Sequence, residues 1–234
     1  MSDLLPNQSP KNLQVFRTPA GALVGDNFEP RVPCVVLVDT SGSMYGKPIQ
    51  QLQDGLLALQ LDLRSDPLAS KRCEVAVIEF GDEVKSYDFF PANEWEPPVL
   101  EADGLTPMGS AIETALKVVD QRKAYLKFSG LQVYRPWIFL LTDGAPTDDV
   151  SFACKELTRW EKEGKASFFA IGVEGADFGT LASLSPARQP IKLKGLAFRE
   201  FFLWVSQSMR MVSASRPGDR VALPPPTGWG EISV

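Results

Sequence analysis

Five side chains carry the most distinctive chemistry in this sequence. Asp39, Ser41 and Ser43 share one short stretch, PCVVLVDTSGSMYGK at residues 33–47. Thr106 stands in GLTPMGS at 104–110, and Asp143 in TDGAPTD at 142–148. All five end in oxygen, three as hydroxyls and two as carboxylates, and hard cations such as Mg²⁺ take oxygen ligands. The chain has 0 His among 234 residues. That removes Ser-His-Asp and Cys-His catalysis, the usual zinc sites and the commonest general base. The three cysteines, Cys34, Cys73 and Cys154, are far apart with no paired spacing, which suits reduced buried thiols in a cytosolic protein.

The elements that must position these residues follow from hydrophobic patterning. The apolar run at 35–38 stops at Asp39, as a strand buried on both faces does. Gly46 and Pro48 open a helix carrying Ile49, Leu52, Leu56, Leu59 and Leu63 at helical spacing, and Asp66-Pro67 ends it. Residues 73–80 (CEVAVIEF) predict a second strand. After the Gly81-Asp82 turn, 84–90 returns as an antiparallel edge strand. A helix with Ile112, Ala115, Leu116, Val119 and Tyr125 follows, with Thr106 as its N-cap and Pro107 in the first helical position. Residues 137–142 (WIFLLT) make another doubly buried strand that ends at Asp143. Further on, 150–163 predicts a helix, 166–173 a strand, 177–184 a short helix, 191–193 a short strand and 198–212 an amphipathic helix.

Alternating strands and helices predict an α/β fold, a doubly wound, mostly parallel sheet with helices on both faces. In such a sheet the carboxyl ends of the strands share one edge, where ligands bind. The Asp39, Thr106 and Asp143 loops can therefore converge. Ser41, Ser43 and Thr106 would stand close to a cation, with Asp39 and Asp143 acting directly or through water. Alone, each residue has a simpler reading: Thr106 as a helix cap, Asp143-Gly144 as a turn, Asp39 as a cap, and Ser41 and Ser43 as loop solvation. Two strand-terminal aspartates and a Ser-x-Ser on one edge favour the metal site. Two carboxylates only balance a divalent charge, so the ion would stay electrophilic, with a coordination position open to an acidic oxygen from a partner.

The segments VVLVDTSGSM, GLTPMGSAI and FLLTDGAPTDD together resemble the von Willebrand factor A (vWA) domain with its metal-ion-dependent adhesion site, MIDAS. That motif, Asp-x-Ser-x-Ser with a distant Thr and a distant Asp, falls on Asp39, Ser41, Ser43, Thr106 and Asp143 without departure. The resemblance implies a Rossmann-like sheet with one antiparallel edge strand. It also implies capture of a partner Asp or Glu carboxylate through Mg²⁺ or Mn²⁺, with Ca²⁺ also compatible. It divides the chain into an N-terminal extension (1–31), a vWA domain (32–213) and a Pro/Gly-rich C-terminal tail (214–234). More narrowly, LTPMGSAI and PPPTGW are similar to bacterial TerY-type vWA proteins, linked to tellurium resistance and stress response and often accompanied by a protein kinase and a phosphatase.

The expected function is thus a non-enzymatic cytoplasmic scaffold. The alternative is a Mg²⁺-dependent phosphotransfer enzyme with Asp39 as nucleophile. Against it, no phosphate loop of the G-x-x-x-x-G-K type is present. Net charge of −5 argues against nucleic-acid partners, and no apolar stretch approaches a membrane span or a secretory signal. Trp95, Trp137, Trp160 and Trp204 read as core or edge packing. Trp229, after three prolines, fits either a disordered tail or a docked one. Asp148 and Asp149 read as caps of the helix that follows them.

Overall fold

The computed structural model describes residues 27–232, so the expected N-terminal extension lies, up to residue 26, outside the described residues. Strand β1 (Val32–Asp39) is the axis of the molecule, and all eight of its residues are buried. Its side chains alternate between faces as the pleat requires. Val32, Cys34, Val36 and Val38 join one core, and Val35 and Leu37 the other. Strand β2 (Cys73–Phe80) pairs parallel to β1 on one side and β5 (Trp137–Thr142) parallel on the other. β6 (Ser167–Gly172) and β7 (Ile191–Leu193) extend the parallel sheet beyond β5.

Two helices cover one face. α1 (Lys47–Ser65) contributes Leu52, Leu56, Leu59 and Leu63, and α6 (Phe198–Ser213) contributes Phe198, Phe201, Phe202, Val205 and Met209. The opposite face is covered by α3 (Met108–Phe128), α4 (Ser151–Lys162) and α5 (Phe178–Leu184). A short α2 (Ala69–Arg72) leads into β2. Fully burying each such leucine or phenylalanine is worth about 1.5–3 kcal/mol, so these two apolar stripes fix the helices on the sheet.

The expected edge strand at 84–90 is broken into β3 (Val84–Ser86) and β4 (Phe90–Pro91), both antiparallel to β2. A further antiparallel strand, β8 (Gly230–Ile232), closes the other edge against β7. Within the tail expected at 214–234, residues 230–232 thus join the sheet. Trp229 is 2% exposed and packs against Phe201 and Trp204, at ring-centroid distances of 5.1 and 5.2 Å.

Candidate metal centre

The strand order β3-β2-β1-β5-β6-β7-β8 reverses direction of travel at β1. The chain first builds outward through β2, then returns through α3 to lay β5 on the other flank of β1. The crevice outside the carboxyl ends of β1 and β5 is thus the switch point at which open α/β sheets bind ligands. Asp39 is the last residue of β1, and Asp143 directly follows β5.

The hydroxyls bridge these two ends. Ser43 Oγ donates to Asp143 Oδ1 at 2.7 Å, across 100 residues of sequence, and lies 3.0 Å from Ser41 Oγ. Asp39 is buried, and both its oxygens are engaged. Oδ1 accepts from the Ser41 backbone N–H at 2.9 Å, and Oδ2 from the Thr142 hydroxyl at 2.5 Å. Burial pushes the Asp39 carboxyl above its usual range, the hydrogen bonds from Ser41 and Thr142 pull it back down, and the neighbouring Asp143 charge pushes it up again. Among the described residues no lysine or arginine forms an ion pair with Asp39 or Asp143.

Thr106 reaches the same place from the loop before α3. Its side-chain oxygen would lie 3.5 Å from a Cβ built on Gly144, beside Asp143. Thr106 is locked there by Thr147, whose backbone N–H donates to the Thr106 carbonyl at 2.9 Å and whose hydroxyl accepts from the Thr106 N–H at 3.1 Å. Two bonds tie the loop to β1: Gly42 N–H to the Gly104 carbonyl at 3.1 Å and Asp103 N–H to the Thr40 carbonyl at 2.7 Å. All five residues singled out in the sequence therefore meet at one rim. Asp39, Ser41 and Thr106 are buried there, and Ser43 is exposed.

Two expectations about capping fail. Thr106 does not cap α3; Pro107 holds the N-cap position without a side-chain cap bond. The cap comes from Asp148, which accepts from the Gly109 and Ser110 backbone N–H groups at 2.8 Å each and from the Ser110 hydroxyl at 2.8 Å. Asp148 thus serves α3 and not the helix that follows it. Asp149 does turn toward that next helix, accepting from Ser151 N–H at 2.9 Å. A proline at the N-cap presents no side-chain acceptor, so a carboxylate from another loop satisfies the free N–H groups. Reasoning from sequence also missed Thr142. As the last residue of a doubly buried strand it reads as core, yet its hydroxyl orients Asp39 and accepts from Gly144 N–H at 3.1 Å.

Among the described residues no group of three or more His, Cys, Asp or Glu is placed to hold a metal ion. What the rim offers is hydroxyls with two uncompensated carboxylates, a donor set that fits a hard divalent cation. Fold and site together define an open α/β domain with an oxygen-lined recess at its switch point.

The sequence matches the family model for the von Willebrand factor type A domain over residues 34–199, and the chain belongs to that family. No curated protein matches it. Among solved structures it is similar to proximal thread matrix protein 1 from the mussel byssus, at 16% identity and a TM-score of 0.54, covering 79% of this chain and 48% of that one. It is also similar to the ArnB paralog VWA2 from Sulfolobus acidocaldarius, at 16% identity and 0.53, covering 76% and 45%. The open form of the pilus adhesin SpaC from Lactobacillus rhamnosus GG gives 14% and 0.59, covering 78% and 31%. This chain spans about half the length of the mussel protein, a further structure of which has a zinc-occupied MIDAS motif. These likenesses establish the fold.

Proposed function

We propose that this protein is a divalent-cation-dependent binding module. Asp39, Ser41, Ser43, Thr106 and Asp143 hold the ion, and an acidic side chain of a partner protein completes its coordination. One observation carries the reading: the Ser41–Ser43–Asp143 chain of oxygens, closed across the β1–β5 switch point, with no ion pair to Asp39 or Asp143 among the described residues. The bound cation would supply the missing positive charge and a Lewis-acidic position for the partner's carboxylate. Mg²⁺ is the proposed resident ion, since the donors are all oxygen and few enough to leave water on the metal. The zinc-occupied motif of the mussel protein supports a divalent ion at this place in the fold.

The chain acts as a scaffold and not as an enzyme in this reading. Asp39 is buried with both oxygens in hydrogen bonds, a poor state for the nucleophile of a phosphotransfer reaction. We further propose a TerY-type role in the cytoplasm, in tellurium resistance or stress response, with a protein kinase or phosphatase as the partner. The LTPMGSAI segment supports it, and among the described residues no helix is long and apolar enough to cross a membrane. The test is capture of partner proteins from a native lysate by the immobilised chain, with Mg²⁺ or with EDTA, and with Asp39→Asn. Capture that needs Mg²⁺ and is lost in the variant is expected. Undiminished capture in EDTA and in the variant overturns the reading.

A further inference from the structure

At the opposite end of the sheet, where β5 and β6 begin, lies a cavity of about 510 Å³. This is within the usual range for small-molecule pockets. Its floor is Trp137 and Phe169, from β5 and β6. Its roof is the segment that leaves α6 and returns toward β8. That segment is pinned at both ends. The Tyr134 hydroxyl donates to the Ser215 carbonyl at 2.5 Å, and Trp204 Nε1–H donates to the Pro224 carbonyl at 2.7 Å. Between the two anchors, Val221 and Leu223 close the apolar side and Arg220 faces the cavity.

Three arginines line this space, Arg135, Arg188 and Arg220, and the Arg135 guanidinium also lies beside Gly164. Arg188 is held in place, paired with Glu161 and lying over the Phe169 ring with its Cζ 5.0 Å from the centroid. Arg135 and Arg220 form no ion pair among the described residues. The one carboxylate in the lining, Asp219, accepts from the Arg216 backbone N–H at 2.9 Å and so fastens the roof turn. Cations also crowd the surroundings of Arg135. Burial first, then Lys127, Lys165 and Arg135 against the opposing pull of Asp120, holds the Lys123 ammonium below its usual range.

We propose that this cavity binds a small phosphate monoester. The phosphate sits among Arg135, Arg188 and Arg220, and the organic group lies between Trp137, Val221 and Leu223. Guanidinium groups present planar, forked donors that match phosphate oxygens, and a roof fixed before binding lowers the ordering cost. The site shares no residue with the cation-binding rim and is independent of it.

Isothermal titration of the whole chain with phenyl phosphate and with inorganic phosphate, in buffer containing EDTA, tests the assignment. One phenyl phosphate per chain is expected, bound at least about tenfold more tightly than inorganic phosphate. Arg135→Ala and Arg220→Ala should each weaken it about tenfold, equivalent to ~1.4 kcal/mol. Both side chains are exposed, so folding should survive, as circular dichroism would show. Asp39→Asn should leave the affinity unchanged. No heat at millimolar phenyl phosphate, equal affinity for the two ligands, or indifference to both arginine substitutions overturns the proposal.

Discussion

Asp39 is the residue on which the proposed cation site most depends. Its carboxylate is buried, oriented by Ser41 N–H and the Thr142 hydroxyl, and set near the Asp143 carboxylate. The Asp-x-Ser-x-Ser spacing drew attention to the loop in the sequence, because it sets three oxygen donors directly after a doubly buried strand, on the same edge as Asp143. Thr142 and Asp148 were not legible. The partner of Thr142 lies 103 residues away and those of Asp148 lie 39 and 38 away, and nothing local distinguishes a strand-end threonine or a loop aspartate that makes such a contact. Gly104 is a further residue on which the rim depends. Its φ of +79° is a conformation that side chains rarely adopt, and a Cβ there would run into the Asp82 backbone. Gly104→Ala should therefore cost about 1–3 kcal/mol by urea denaturation, from the strained backbone alone. It should also weaken cation binding, because the Gly104 carbonyl holds Gly42 beside the two serines.

At the level of elements, the strands were the most legible. The runs at 73–80 and 137–142 match β2 and β5 residue for residue; the second is apolar up to its final Thr142, as a strand buried on both faces requires, and the first is apolar apart from Glu74 and Glu79. The edges were less so, because pairing there depends on partners far along the chain. The 84–90 run divides in two, and Trp229 with 230–232 turns out to complete the sheet. The proline run obscured that last strand, although Gly-Glu-Ile-Ser-Val carries a weak alternating pattern. Trp229 fills a space between Phe201 and Trp204, so Trp229→Ala should destabilise the chain by about 3–5 kcal/mol in chemical denaturation. The α1–α2 junction supplies a pH dependence. Hydrogen bonds from Ala69 and Leu68 N–H, together with Arg210, hold the Asp66 carboxyl below its usual range against the opposing effect of burial. A folded value below the unfolded one means that unfolding takes up a proton as the pH falls. The stabilisation is complete above the ordinary carboxylate value of about 4 and declines below it. Thermal melts of Asp66→Asn should lose part of the acid-side decline seen in the parent chain and be less stable than it at neutral pH.

The whole molecule holds two ends of one sheet for different purposes. At the carboxyl end, the switch between β1 and β5 gathers loops from three parts of the chain. At the amino end, the entry to β1 is bolted to β2 and α3 by a buried ionic triad. Glu74 accepts from Arg31 Nε at 3.1 Å and from Arg122 Nε and Nη2 at 2.8 and 2.5 Å. Removing its charge would take the shared counter-ion from two buried guanidinium groups, so Glu74→Gln should cost roughly 3–5 kcal/mol by chemical denaturation. The helix-strand alternation announced this architecture from the sequence, whereas the triad joins residues whose neighbourhood appears only once β1, β2 and α3 are packed together. The central claim is that the rim is a cation site. Its most direct measurement is calorimetric titration of the intact chain with Mg²⁺ and Mn²⁺, beside Asp39→Asn and Thr106→Ala. One ion bound per chain, lost in the first variant and weakened in the second while both stay folded, is the predicted result. Absence of binding by the parent chain, or binding undisturbed by either substitution, would contradict it.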